Sequence, residues 1–315
     1  MSKICIVGPS TRFLSGVSYY TIRLANALVE QNEVSVIYYR ELLPKSLFPG
    51  REHVGKPLTE LALSPEVAVF DGMDYNSPIS WIKACIFLSN FKPDFLILQW
   101  WTSSVAHMQF ILTLFKKISG FKVILEFHEV VDPLEEAILP VRIYSRLIGR
   151  AIAKGGDAYV VHSNVDKQAI AMKYRLDPRK IYAIPHGLYD HYTPLDKSEA
   201  RRRLGITEEN VLLFFGLIRT YKGVEYLIKA FENFSEELIN KTRLLIVGEL
   251  WEGSSEVLKQ VQSSKYRDKI SLVTEYIPDE EVSLYFSAAD VIVLPYIRAS
   301  QSGVAHIAMS LGKAI

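Results

Sequence analysis

The sequence predicts an α/β protein made of two doubly wound, Rossmann-like domains. Short apolar runs of four to six residues recur along the chain, and amphipathic helical patterns separate most of them. Alternation of this kind produces βαβ units and parallel strands buried on both faces. About ten such runs are too many for one compact sheet.

In chain order the strand runs are Lys3–Val7, Glu33–Tyr38, Phe95–Gln99, Lys122–Phe127, Ala158–His162, Ile181–Ile184, Val211–Phe215, Arg243–Val247, Ile270–Val273 and Val291–Leu294. Helical patterns cover Tyr19–Gln31, Val105–Ser119, Tyr144–Lys154 and Val224–Ser235. Between Asp177 and Arg203 the alternation lapses into prolines and charges, and it restarts at Val211. The boundary is placed there, giving domains 1–178 and 179–315. Two open α/β sheets would leave a cleft lined by the carboxyl ends of their strands, where ligands bind in such folds.

Composition narrows the function classes. A length of 315 residues exceeds one ordinary core. With 49% apolar and 23% charged residues the chain is not disordered. A net charge of +1 provides no global field for nucleic acid, which is not an expected partner. Cys5 and Cys85 sit in apolar surroundings without metal-type spacing and read as core residues of a reducing compartment. The start MSKICIVGPS has too short an apolar run for a signal peptide. The apolar stretch Ala84–Trp101 is interrupted by Lys92, Pro93 and Asp94, which argues against a membrane span. A cytoplasmic protein is expected.

The most informative segment is Phe214–Phe231, FFGLIRTYKGVEYLIKAF. A buried strand ends at a glycine, a short loop carries Arg219 and Lys222, and a helix starts near Gly223. Backbone N–H groups and the helix dipole favour an anion there, and the two cations add charge. A diphosphate fits; a turn with solvated cations is the alternative. The loop after Lys3–Val7 lacks the GxGxxG spacing of a dinucleotide fingerprint, which disfavours a Rossmann dehydrogenase, yet Gly16 before a helix allows close backbone approach to a phosphate. Lys122–Phe127 is followed by His128, Glu129, Val130, Val131 and Asp132, a strand-end histidine beside carboxylates suited to a sugar hydroxyl or a proton transfer, or simply to a structural cap. Pro185–His186–Gly187 reads as a turn. Ser300, Gln301, Ser302 and Gly303 precede the last helix and form another anion cradle.

In order, SGVSYYTIRLANAL, HEVVD, DAYVVHS, IPHG, FFGLIRTYKG, LLIVGE, YIPDEEVSLYFSAADVIVLPY and SQSGVAHIAMSLGKAI resemble the retaining glycosyltransferases of family 4 with the GT-B fold, of an SQSG type, over essentially the whole chain. The resemblance implies transfer of a sugar from a UDP- or GDP-sugar to a saccharide or lipid-linked saccharide acceptor, of hexosyl or mannosyl type, with retained configuration and without a metal or other cofactor. It implies that Arg219 and Lys222 hold the donor diphosphate, that Gly16 covers it, and that His128 contacts the transferred sugar. It further implies that the N–H groups of Ser302, Gly303 and Val304 meet the phosphates, and that Gly248, Glu249, Tyr276 and Ile277 lie near the nucleoside.

Three departures stand out. The family's two glutamates correspond to Ala299 and Ile307, neither of which can accept a hydrogen bond through its side chain. The family's arginine position holds Leu217, and Arg219 stands two residues later. The chain also ends at Ile315, soon after the last phosphate motif, which leads to an expected second domain short of its final strand–helix units, with lowered stability and activity. Departures of this kind keep a catalytically silent, nucleotide-sugar-binding or scaffolding relative as the alternative function. A glycan phosphorylase would need a lysine bound to pyridoxal phosphate, and no convincing site for one stands out. Finally, Arg142, Arg146, Arg150 and Lys154 recur every fourth residue on one helix face, with Ile143, Leu147, Ile148 and Ala151 mostly on another. Such a helix is either an ordinary solvated surface helix or a contact with anionic lipid at the inner membrane face.

Overall fold

The structure is a computed structural model that describes residues 1–10, 16–42, 61–130, 139–251, 255–297 and 302–315. The chain divides into two compact units, Met1–His186 and Gly187–Ile315. The division falls later than residue 178 because the short strand Ile181–Ala183 pairs with Ala158–Val161 and so completes the first sheet.

Unit 1 carries β1 (Lys3–Pro9), β2 (Glu33–Glu41), β3 (Ala68–Asp74), β4 (Phe95–Trp100), β5 (Lys122–Phe127), β6 (Ala158–Val161) and β7 (Ile181–Ala183). Their order is β3-β2-β1-β4-β5-β6-β7, with every pairing parallel. The direction of winding reverses between β1 and β4, the place where such sheets open a crevice at their carboxyl ends. Cys5, Val7, Leu96, Leu98, Val123 and Leu125 are fully buried. Burial of side chains of this size contributes about 1.5–3 kcal/mol each, which is why central strands read as continuous apolar runs.

Helices α1 (Gly16–Val29), α2 (Pro78–Phe91), α3 (Ala106–Ser119), α4 (Leu139–Gly155) and α5 (Asn164–Tyr174) cover this sheet. Two elements escape the sequence reading. β3 is an edge strand with several exposed residues, so its apolar run is broken. α2 takes up the first part of the apolar stretch tested above for a membrane span, and β4 takes up its end. The helix starts with Pro78 in its first turn and ends with Lys92 in a left-handed conformation (φ 56°). Among the described residues no helix is long and apolar enough to cross a membrane.

α4 corrects the expected division of faces. Its buried residues are Ser145, Gly149, Ile152 and Ala153, whereas Ile143 and Leu147 are exposed. Small residues are used because the helix sits close to its neighbours: a Cβ on Gly149 would lie 3.2 Å from Tyr174 and 3.5 Å from Trp100. The exposed face therefore mixes Leu139, Ile143 and Leu147 with Arg146, Arg150 and Lys154.

Unit 2 carries β8 (Asn210–Phe215), β9 (Thr242–Val247), β10 (Ile270–Val273) and β11 (Val291–Ile292), all parallel in the order β10-β9-β8-β11. The switch point lies between β8 and β11. Its helices are α6 (Lys197–Arg203), α7 (Val224–Glu232), α8 (Glu236–Asn240), α9 (Ser255–Ser263), α10 (Asp279–Ala288) and α11 (Gly303–Ser310). Asp290 anchors the segment before β8: it pairs with Lys197, accepts from Arg201 at 2.6 Å and from the Val211 N–H at 2.7 Å. Glu208 is likewise held by Arg243 at 2.8 Å and Lys269 at 3.2 Å. Burial disfavours its charge, but those cations outweigh it and bring its carboxyl down to about 2.

Candidate functional site

At the carboxyl ends of β5, β6 and β7 the first unit gathers three histidines. Glu126 and His128 are two residues apart at the end of an extended strand and so share a side of the sheet. His162 follows β6, and His186 follows β7. Tyr20, from the second turn of α1, lies against all three, with ring centres 4.7 Å from His128, 5.3 Å from His162 and 4.6 Å from His186.

The hydrogen bonds in this cluster fix its protons. The Ile184 carbonyl can only accept, so His162 Nδ1–H donates to it at 3.0 Å. A neutral His162 then accepts at Nε2 from His128 Nδ1–H at 3.2 Å. His128 Nε2 faces Glu126 Oε2 at 3.6 Å, outside hydrogen-bond distance. Tyr20 Oη donates to Glu126 Oε1 at 2.5 Å, and Gln99 Nε2 donates to Oε2 at 3.2 Å. Burial works against the Glu126 charge, yet the close approach of His128 and the bond from Tyr20 prevail and lower its pKa. Burial and the nearby His128 both lower the pKa of His162.

His128 is thus placed at the strand end, as the sequence indicated, but with 5% exposure its ring is enclosed rather than presented. Its carboxylate neighbour is Glu126, a residue read from sequence as strand interior. Asp132 and Val131 lie outside the described residues, as do Ala299, Ser300 and Gln301. Glu126, His128 and His162 form the one group among the described residues whose ligand atoms are close enough, within 4.8 Å of one another, to hold a metal ion. Their hydrogen bonds already engage those atoms apart from His128 Nε2. Gly16 is exposed at the first residue of α1.

The second unit brings together the remaining residues singled out from sequence, all along the carboxyl edge of its sheet. Beyond β8 and β9 the two chains stay paired: Ile218 N–H donates to Glu249 O at 2.9 Å and Trp251 N–H to Ile218 O at 3.1 Å. Gly248 permits this approach. Its φ is 146°, and a Cβ there would lie 2.0 Å from the Gly216 carbonyl oxygen. Arg219 continues the extended chain, with φ −131° and ψ 154°. Side chains two apart on extended backbone point the same way. An arginine moved from position 217 to 219 therefore keeps its face while advancing about 6–7 Å along the strand direction.

Lys222 lies in the turn closed by Gly223, whose φ is 68° and whose Cβ would meet the Pro295 carbonyl oxygen at 2.1 Å. That contact, with the Ile297 N–H donating to Tyr221 O at 2.9 Å, seats the β8 loop on the segment after β11. There α11 begins: Ser302 Oγ caps the helix by accepting from Ala305 N–H at 3.3 Å, and Tyr296 Oη lies 3.3 Å from Ser302 Oγ. A Cβ on Gly216 would be 3.4 Å from Val304, so the helix start abuts the end of β8. Tyr276 and Ile277 follow β10. The Tyr276 hydroxyl is pushed up to about 12 by burial and then by the charges of Asp279, Glu280 and Glu249. Glu249 Oε2 is buried and has no hydrogen-bond partner among the described residues. Ile307, at the position of a family glutamate, is 8% exposed and packs inward.

Sequence reasoning missed Tyr20, Glu126, His162, Trp251 and Tyr296. The signal for the histidines was available: three successive strand runs, Lys122–Phe127, Ala158–His162 and Ile181–Ile184, each end on or just before a histidine.

Two cations on one βα loop, a capped helix start beside it and a buried Glu249 Oε2 without a hydrogen-bond partner among the described residues lie along the carboxyl edge of a doubly wound unit. The chain belongs to glycosyltransferase family 4, whose profile matches residues 14–190; that of the group 1 glycosyl transferases matches residues 196–315. It is 25% identical over 306 residues to a D-inositol 3-phosphate glycosyltransferase of Segniliparus rotundus, covering 91% of this chain and 65% of that protein. The chain spans 25% to 65% of the length of the first four curated relatives it matches. Among solved structures it is similar to sucrose-phosphate synthase from Thermosynechococcus elongatus, with a TM-score of 0.73 at 17% identity, covering 99% of this chain and 80% of that one. It is also similar to Anabaena HepE in complex with UDP-glucose, with a TM-score of 0.69 at 15% identity, covering 99% and 79%. Likeness at these identities is one of fold, and the fold class is GT-B, with two Rossmann-like domains.

Proposed function

We propose that the chain is a glycosyltransferase that moves a sugar from a UDP- or GDP-sugar onto a saccharide or lipid-linked saccharide with retention of configuration. The observation that carries this is the seating of the Arg219–Lys222 loop against the start of α11. Two cations and a helix N-terminus converge on one edge, where they neutralise a diphosphate and the charge that develops on it as the sugar leaves. In this reading they stand in for a metal. The free Glu249 oxygen supplies an acceptor for nucleoside hydroxyls, the role left open by Ile307. On the first unit His128 Nε2, the one ligand atom of its cluster without a hydrogen bond, is assigned to the sugar side, with Gly16 on the same unit.

Titration calorimetry with UDP and GDP tests the donor site, followed by an assay of radiolabelled sugar transfer. Failure of both nucleotides to bind refutes the reading. The buried, apolar Ile307 favours a second one, a nucleotide-sugar-binding protein without turnover, which predicts nucleotide binding with no transfer.

The exposed face of α4, with Arg146, Arg150 and Lys154 beside Leu139, Ile143 and Leu147, suits an anionic lipid surface, and Arg142 flanks it. On this reading the acceptor is membrane-borne. Co-sedimentation with vesicles should rise with anionic lipid content and fall in Arg146→Glu/Arg150→Glu; indifference to both would remove the membrane from the proposal.

A further inference from the structure

The two cations of the donor loop each stand on an aromatic ring contributed by a different strand end. Arg219 Cζ lies 3.6 Å from the centre of the Trp251 ring, and Lys222 Nζ lies 3.7 Å from the centre of the Tyr296 ring. Tyr221, between them in sequence, is farther from both, at 6.0 Å and 5.5 Å. Trp251 follows β9 and Tyr296 follows β11, so neither ring belongs to the loop whose cation it carries.

We propose that Trp251 and Tyr296 are positioning residues for the donor diphosphate, forming an aromatic floor that holds Arg219 and Lys222 in place before the nucleotide arrives. This rests on the reading of those two cations as diphosphate contacts. Long cationic side chains are otherwise mobile and lose that freedom on binding. A ring face attracts the cation through its quadrupole and so fixes where the charge sits without itself accepting a hydrogen bond.

The floor is itself fixed from below. Trp251 is tied to the arginine strand by its N–H to Ile218 O, and Ile218 N–H returns to Glu249 O. Tyr296 is flanked by the Pro295 contact at Gly223 and by the Ile297 N–H bond to Tyr221 O. Its hydroxyl meets Ser302, the cap of α11, so one ring links Lys222 to the helix start. The same floor accounts for the shifted arginine. Position 219 retains the side of the extended chain that position 217 has, and Trp251 receives the guanidinium at the new place.

The test is UDP and GDP affinity by calorimetry on the full chain, with thermal unfolding as a control for folding. Trp251→Leu keeps an apolar side chain but removes the ring, and should weaken binding about tenfold; Trp251→Phe should stay within about threefold. Tyr296→Leu and Tyr296→Phe should follow the same order. Arg219→Ala/Trp251→Leu should bind no more weakly than Arg219→Ala alone, because the ring acts through the cation. Should Trp251→Leu fail to fold, the same cycle is read with Trp251→Phe and Arg219→Lys. Affinities that ignore Leu against Phe, or losses that add fully in the double variant, overturn the floor while leaving the diphosphate reading intact. Nucleotide binding unaffected by both Arg219→Ala and Lys222→Ala overturns both.

Discussion

The strand-end edges of the two units treat charge in opposite ways. In unit 1, Glu126, His128 and His162 are 3–6% exposed and are satisfied mainly by one another, by Tyr20 and by backbone. In unit 2, Arg219 and Lys222 are half-exposed and lie over aromatic rings. Hydrogen-bonded burial consumes the donors and acceptors it stabilises, so such a cluster holds shape and proton positions. A cation over a ring is held by the ring's quadrupole instead of by a buried hydrogen bond. The same fold edge, built twice, thus yields a buried hydrogen-bonded cluster in one unit and half-exposed cations on aromatic rings in the other.

The largest effect expected comes from the backbone that brings the unit 2 loops together. Gly248→Ala forces a Cβ within 2.0 Å of the Gly216 oxygen at a φ of 146°, and Gly223→Ala meets Pro295 at 2.1 Å. Each should destabilise the chain by roughly 3 kcal/mol or more and abolish nucleotide binding, read by urea unfolding and calorimetry. Near-parental stability in both would mean that close loop approach does not make the site.

Next is the charge itself. Lys222→Ala should cost roughly 2 kcal/mol of nucleotide affinity, about thirtyfold, with little change in unfolding midpoint. His162→Asn should show the reverse pattern, a change in stability before any change in nucleotide affinity. Equal responses in the two variants would erase the contrast.

Acid should separate the units. His162 has a lowered pKa when folded, so the unfolded chain binds its proton first and stability falls as pH drops below about 6.5. Glu208 is lowered to about 2, so its contribution, roughly 2 kcal/mol, is present above about 4.5 and is lost only between there and about 2. Hydrogen exchange from pH 7.5 down to about 2 should therefore loosen β5–β7 before β8–β10. Glu208→Gln should flatten the second phase alone; simultaneous loosening of both units would contradict the assignment.

The smallest effect should come from the exposed Glu199–Arg202 pair, three residues apart on α6. Glu199→Ala should change stability by less than about 0.5 kcal/mol, because solvent screens both groups. A larger loss would show that exposed pairs matter here as buried ones do.

Much of this protein was legible in its sequence, for a physical reason. Strands buried on both faces must be apolar throughout, so β1, β2, β4, β5, β8 and β9 announced themselves, and their alternation with helices gave the fold class. Glycines at loop ends and cations between strand and helix marked the proposed donor edge, because local backbone geometry and helix dipoles are set by neighbours in sequence. The edge strand β3 and the mixed face of α4 were not legible, and the boundary only to within Asp177–Arg203, since each depends on what packs beside the element. The same holds for the partners of the site residues. Only tertiary structure could seal His128 beneath Tyr20 with Glu126 as its carboxylate, or set Trp251 and Tyr296 under Arg219 and Lys222, because those contacts join residues of separate strand ends whose spacing along the chain carries no trace of their proximity.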